Sequence, residues 1–175
     1  MTTHAGPPVA VRRIRAHEGL RLKAFRLRAL AEAPTAFGST LAREQAFEES
    51  AWHERAAGSA EGAERAVFVA EEGDRWVGMA TGVARHPEGP GHSPMLIGMF
   101  VVSTQRGRGV GAALVERVTE WARALSAEHL YLWAVSSNRP AIALYERCGF
   151  APTGETRPLE HTPPLREQLM RRVLR

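Results

Sequence analysis

Gln105-Arg106-Gly107-Arg108-Gly109-Val110-Gly111 is the stretch on which the fold of this chain turns. Before it lies a near-continuous apolar run, Met95-Leu96-Ile97-Gly98-Met99-Phe100-Val101-Val102. After it, Val110, Leu114, Val118, Trp121 and Leu125 step by 4, 4, 3 and 4. The run predicts a strand covered on both faces, and the stepping predicts an amphipathic helix to about Leu125. A Gly-rich turn therefore leads from a buried strand into a helix. Backbone amides at such a helix start lack internal partners and sit at the positive end of the dipole, so they bind phosphate. The glycines let the chain curl into a nest and let phosphate oxygens approach without a Cβ in the way. Arg106 and Arg108 are placed to add charge-assisted contacts.

Other phosphate loops fit less well. No Gly-Lys-Ser/Thr follows, which removes a Walker loop. A dinucleotide Gly-x-Gly-x-x-Gly needs a third glycine at position 112 or 114, where Ala112 and Leu114 stand, although alanine is sometimes tolerated there. No acidic residue ends a following strand about 20 residues on, as that motif requires. The bland alternative is a turn that merely connects strand and helix.

Outward from this turn, the chain alternates strands and helices. VAVRRI (9–14) alternates as a first strand. From Glu18 to Ala31 the residues Leu20, Ala24, Leu27 and Ala31 define one face of a helix, which Pro34 stops. Residues 40–57 carry helix formers and predict a second helix. AVFVAEE (66–72) and RWVGMATGVA (75–84) read as a hairpin turning at Gly73-Asp74, followed by a Pro- and Gly-rich loop over 85–94. HLYLWAV (129–135) is another strand. Pro140 opens a short helix that Gly149 ends, FAPTG begins a strand, and LREQLMRRVL closes the chain as a last one. The expected class is α+β: one mixed sheet with helices on both faces, in a single domain spanning 1–175, with residues 1–8 as a tail.

Composition narrows the function. With 44% hydrophobic and 24% charged residues, the 175-residue chain can form a globular core. No segment approaches the roughly 18 apolar residues of a membrane span, and no secretion signal opens the chain, so a cytoplasmic protein is expected. The net charge of +4 comes from one lysine, Lys23, and 22 arginines interleaved with Asp and Glu. That reads as compositional bias rather than a nucleic-acid surface. Cys148, the single cysteine, excludes an internal disulfide and reads as a helix-end packing residue. The seven His show no metal-ligand spacing, so no metal is expected.

Three pieces of sequence together resemble the GNAT superfamily of acyl-CoA N-acyltransferases. Arg106-Gly107-Arg108-Gly109-Val110-Gly111 matches its acetyl-CoA signature, Arg/Gln-x-x-Gly-x-Gly/Ala. The preceding strand ends in Met99-Phe100-Val101, like the family's pantetheine-contacting strand. About 30 residues on, the segment from Asn138 to Phe150 is similar to the second signature, Asn-x-x-Ala-x-x-x-Tyr-x-x-x-Gly-Phe. The likeness covers about residues 66–155.

The resemblance implies a GNAT-like central sheet, mixed and mostly antiparallel, and transfer of acetyl from acetyl-CoA to an amine. It implies that the backbone of Met99 and Val101 pairs with the pantetheine arm, and that the amides of Arg106, Gly107, Arg108, Gly109, Val110 and Gly111 hold the pyrophosphate. It implies that Asn138 hydrogen-bonds the cofactor and that Tyr145 places its hydroxyl at the thioester sulfur. The implied partners are acetyl-CoA and an amine acceptor, with neither nucleic acid nor membrane, and a homodimer is compatible with it. Candidate bases are Glu32, Glu44, Glu48 and His92, or a water relay, since no carboxylate lies in 95–102. Phe37, Trp52 and Trp133 are candidate acceptor-side aromatics. A non-catalytic acyl-CoA-binding regulatory domain is the alternative.

Overall fold

Seven strands form one sheet in the order β1-β2-β3-β4-β5-β7-β6 in the computed structural model, which describes residues 8–175. The expected tail over 1–8 lies outside the described residues except for Pro8. The strands are β1 (Val9–Arg13), β2 (Arg65–Glu72), β3 (Arg75–Val83), β4 (Met95–Val101), β5 (His129–Val135), β6 (Ala151–Leu159) and β7 (Thr162–Val173). Every neighbouring pair is antiparallel except β4 and β5. The expected mixed, mostly antiparallel sheet is what the chain forms. Among the described residues no helix is long and apolar enough to cross a membrane.

The helices are α1 (Gly19–Glu32), α2 (Leu41–Gln45), α3 (Glu49–Ala60), α4 (Val110–Ala124) and α5 (Arg139–Arg147). The two faces of the sheet take different helices. Successive residues of a strand point to opposite sides, so Met79 and its partner Phe100 face one way while Gly78 and Gly82 face the other. The Phe100 ring packs against Phe25 of α1 at 5.8 Å and Phe37 at 6.5 Å. On the opposite side α4 lies so close to β3 that a methyl group on Gly82 would stand 2.5 Å from the Trp121 ring. The α4 stripe read from the sequence is the buried one: Val110, Leu114, Val118 and Trp121 all face the core.

Two expectations about helices need correction. The buried face of α1 is Leu22, Phe25, Ala29 and Leu30, whereas Leu20 is 50% exposed and Ala24 and Ala31 face solvent. Both sets fit a 3.6-residue period. Each has two leucines, but the sheet takes the one that also carries Phe25, because a phenylalanine removes more apolar area from water than the alanine it replaces. The single helix over 40–57 is two, α2 and α3, with α2 capped by the Thr40 hydroxyl accepting from the Arg43 amide at 3.2 Å.

The junction of β1 and α1 is held by charge. Glu18, 3% exposed, accepts from Arg12 at 2.7 and 2.9 Å, from the Arg15 amide at 2.9 Å and from Arg21 at 2.8 Å. Burial pushes this carboxyl up, but the Arg12 and Arg15 hydrogen bonds and the Arg12 and Arg21 charges outweigh it and leave it at about 2. A folded-state value below the unfolded one contributes stability above the unfolded pKa, and that stability is lost as pH falls toward about 2. Glu18→Gln is therefore expected to lower stability at pH 7 by roughly 2–4 kcal/mol. Urea melts of variant and wild type should converge between pH 4.5 and 2.5; a constant gap would show that the loss is packing rather than charge.

Candidate active site

The strand β4 leaves its neighbour β5 almost as soon as they meet. They pair only at Met95↔Tyr131, and the Tyr131 amide donates to Pro94 O at 3.0 Å. The cause lies in β4. Met79 pairs with Phe100 and Thr81 with Ile97, so Gly98 and Met99 together oppose the single residue Ala80. Gly98 takes φ +61°, which only glycine adopts without strain, and the bulge turns the strand. Meanwhile β5 stays zipped to β7 across seven pairs, from His129↔Val173 to Val135↔Glu167. A wedge opens between β4 and β5, and the β4 edge from Ile97 to Val101 has no strand partner there. The expectation that β4 is covered on both faces holds at its ends and fails at Ile97, Gly98 and Met99, which are half-buried.

The Gly-rich turn sits at the head of this wedge. Gly107 and Gly109 have φ +71° and +84°, and a Cβ on either would meet nothing within 4 Å. Gly109 is the N-cap of α4 and no side chain caps the helix, so its first amides stay open. This is a cradle of bare N–H groups with space before it. Arg106 turns inward: its Nε donates to Val101 O at 2.9 Å, occupying one carbonyl of the open β4 edge. Gln105, which opens the Gly-rich stretch but has no role in the motif, is 5% exposed. Its Nε2 donates to Glu72 at 2.7 Å and its Oε1 accepts from Arg108 at 3.3 Å, tying the loop to the end of β2. No periodicity marks such a residue. Gly111 has a packing role, since a methyl there would stand 2.9 Å from Leu144 Cδ2 and 3.2 Å from Met99 Cε. Its bare Cα is what lets β4, α4 and α5 converge.

The second signature is largely a device for starting and stopping α5. Asn138 Oδ1 accepts from the Ala141 amide at 3.3 Å, capping the helix. That leaves its amide nitrogen as the group free to donate elsewhere. At the other end Gly149 takes φ +85°, its amide donates to Glu146 O at 2.9 Å, and the Phe150 amide donates to Tyr145 O at 3.0 Å. These two bonds are the Schellman pattern, and the accompanying apolar contact is the Tyr145–Phe150 ring pair at 6.0 Å. The Gly-Phe that ends the motif thus holds Tyr145 in place. Tyr145 is 7% exposed, and its hydroxyl has no hydrogen-bond partner among the described residues. Burial pushes that hydroxyl up, with Cys148 adding to it, so it keeps its proton at neutral pH. Burial also raises the half-buried Cys148 thiol, in keeping with a packing residue rather than a nucleophile.

The candidate bases and aromatics are scattered. Glu44 is 3% exposed and locked to Arg26 at 2.8 Å. Glu32 pairs with Arg28 on the surface, while Glu48 and His92 are exposed. Trp52 is fully buried against Phe47 and Phe37 is 5% exposed, so both are core. Only Trp133 stands beside the wedge, half-buried against Met95, Tyr131 and Leu169, with the Arg157 guanidinium 4.1 Å over its ring. His86 was not anticipated. Burial keeps its imidazole below the usual value, and its Nδ1 accepts from the Glu88 amide at 3.2 Å, so the neutral ring carries its proton on Nε2 and is a donor there. A cavity of about 410 Å³ opens between α1 and the β2–β3 hairpin, lined by Phe25, Trp76 and Thr104 among others, but it touches neither Gly109 nor Tyr145.

Comparison with known proteins bears on the family and the fold. The family model described as acetyltransferase (GNAT) family matches residues 27–150. A curated relative, the uncharacterized N-acetyltransferase YobR of Bacillus subtilis, is 35% identical over 60 residues. That match takes in 34% of this chain and 24% of YobR, so the chain matches about a quarter of that relative's length. An acetyltransferase of the GNAT family from Streptococcus pneumoniae superposes with a TM-score of 0.81 at 20% identity, over 96% of this chain and 100% of its own. The structure of yncA from Salmonella typhimurium, a putative acetyltransferase with its cofactor acetyl-CoA, gives a TM-score of 0.73 at 19% identity, over 96% of this chain and 95% of its own. At these identities the two structures establish the fold.

Proposed function

This chain belongs to the acetyltransferase (GNAT) family, and on that premise we propose that it moves the acetyl group of acetyl-CoA onto a primary amine of a small molecule, peptide or protein. The observation that carries the reading is the uncapped glycine cradle at the head of α4, opening directly beside the unpaired edge of β4. The amides of Gly107 to Gly111 would hold the pyrophosphate, with Arg108 adding charge, and the free Nδ2 of Asn138 would donate to the arm. Backbone groups at Met99 and Val101 would align the arm along β4, with Arg106 yielding or sharing Val101 O.

Acetyl-CoA supplies an acetyl group activated as a thioester. Backbone amides near the Gly98–Met99 bulge would polarise its carbonyl. Tyr145, buried and protonated, is the donor for the departing sulfur. An amine with a solution pKa near ~10 must lose a proton before attack. Glu44 is locked in its ion pair, and a water relay to solvent is the route we assign to that proton.

Saturating acetyl-CoA is expected to raise the melting temperature, in line with about 2.7 kcal/mol of added stability at a hundred times Kd. An amine panel should then release free thiol from acetyl-CoA. Binding without thiol release from any amine would favour a non-catalytic acyl-CoA-binding domain; no binding at millimolar acetyl-CoA would sink both readings.

A further inference from the structure

On the sheet face that carries α1, α2 and α3, two guanidinium groups share one carboxylate and a third lies within reach of their charge. Arg26 of α1 holds Glu44 of α2 through Nε at 3.0 and 3.2 Å and Nη2 at 2.8 Å. Arg55 of α3 reaches the same carboxylate at 3.6 Å. Arg65, which opens β2, makes no ion pair among the described residues. Three positive groups against one negative leave a surplus of two positive charges. The surplus is largely withdrawn from water: the side chains of Arg26, Arg55 and Glu44 are 13%, 28% and 4% exposed, and Arg65 is half-buried. Two donors in the group, Arg26 Nη1 and Arg65 Nε, are buried with no partner. Burial, followed by the charges of Arg55 and Arg26, pushes Arg65 down to about 10. Buried donors without acceptors and buried charges without counter-charges are costly, so an arrangement short of an anion is one built to receive it.

The place is as telling as the charge. Arg26 Nη1 would stand 3.5 Å from a Cβ on Gly98, the bulge residue of β4 where the wedge opens. Arg65 pairs with Val83, which pairs with Met95, and its charge is felt by His86 in the loop before β4. The cluster therefore lies on the sheet face opposite α4, with Arg26 at the bulge itself.

We propose that the arginine cluster Arg26, Arg55 and Arg65 is a carboxylate-binding subsite of the acceptor pocket, so that the amine acetylated here belongs to a molecule carrying a carboxylate, an amino acid or a chain end of similar chemistry. This rests on the acetyltransferase reading. The guanidinium fork matches a carboxylate in plane and spacing, and Glu44 holds Arg26 so that its remaining face is presented already oriented.

The test compares acceptors that differ only in that group: free amino acids, their carboxamides and their decarboxylated amines, with acetyl-CoA and a thiol-release readout. Acids are expected to exceed their carboxamides in kcat/KM by at least about a hundredfold, as when a site built for a hydrogen-bonding group meets an analogue lacking it. Arg65→Met removes a surplus buried charge and is expected to melt no lower than wild type. It should raise KM for the acid about tenfold or more and collapse the acid-to-amide ratio, while acetyl-CoA affinity by calorimetry stays within about twofold; Arg55→Gln serves if that variant fails to fold. Equal rates for acid and carboxamide, with acetyl-CoA binding intact, would overturn the subsite and leave the acetyltransferase reading standing. A preference for succinyl-CoA over acetyl-CoA that disappears in Arg65→Met would overturn it too, by placing the anion on the acyl group. Loss of acetyl-CoA binding in the wild type would instead strike the underlying function.

Discussion

Gly109→Asp is expected to weaken acetyl-CoA binding by about two to three orders of magnitude while the protein stays folded. The residue caps α4 at φ +84°, with open space where a side chain would go. An aspartate therefore fits sterically and adopts a left-handed backbone at a cost of roughly 1–2 kcal/mol or less. The damage is electrostatic. A carboxylate would stand among the amides that a pyrophosphate needs, and two unit charges about 4 Å apart at an effective dielectric near 20 repel by roughly 4 kcal/mol. At about 1.4 kcal/mol per tenfold, that is the expected loss, less whatever salt screens. Gly109→Ala separates the causes, since it carries the backbone strain without the charge and should lose at most about tenfold. Calorimetric titration with acetyl-CoA reads both variants, and circular dichroism checks the fold. Binding of Gly109→Asp at the wild-type level would put the phosphate somewhere other than this turn.

Tyr145→Phe should cut turnover far more than it changes acetyl-CoA affinity. The ring contact with Phe150 and the two backbone bonds that stop α5 do not involve the hydroxyl, and no described residue accepts from it. Removing it is therefore expected to leave the melting temperature within about a degree, because no partner is orphaned. Its use would come as negative charge develops on the leaving sulfur, more in the transition state than before it, so kcat and kcat/KM fall together. A fall of roughly ten- to a thousand-fold is expected, the lower end reflecting that a thiolate departs fairly well unaided. The rate must be measured where chemistry limits turnover. An unchanged rate would make Tyr145 a packing residue, and a large loss of stability would reveal a structural partner for the hydroxyl.

Much of this site was legible because its signals are local. The step from a buried run through Arg106-Gly107-Arg108-Gly109 into the α4 stripe needs only neighbouring residues, and so does the Tyr145–Phe150 helix stop. Other residues have structural partners that the motifs did not announce. Gly111 is bare for Leu144 and Met99, and Asn138 turns one of its polar atoms to its own helix. Trp52, read as an acceptor-side aromatic, is core because α3 lies flat on the sheet. Glu44, read as a base, is the counter-charge of Arg26 and Arg55, from two other helices.

By itself, then, the sequence determined the class of the fold and the succession of strands and helices along the chain, and it singled out the glycine turn and Tyr145 as candidates. Each rests on periodicity, turn chemistry or a short motif, which act over a few residues. It left two matters to the tertiary structure. One was which of the two apolar stripes of α1 is buried, since a period defines faces but not which face meets the sheet. The other was the site as a cavity. The wedge exists because a bulge at Gly98 bends β4 while seven pairs hold β5 to β7, and the buried arginines become an anion site only when α1, α2, α3 and β2 pack together. Spacing along a chain carries no record of charge balance between elements that are brought together only by folding.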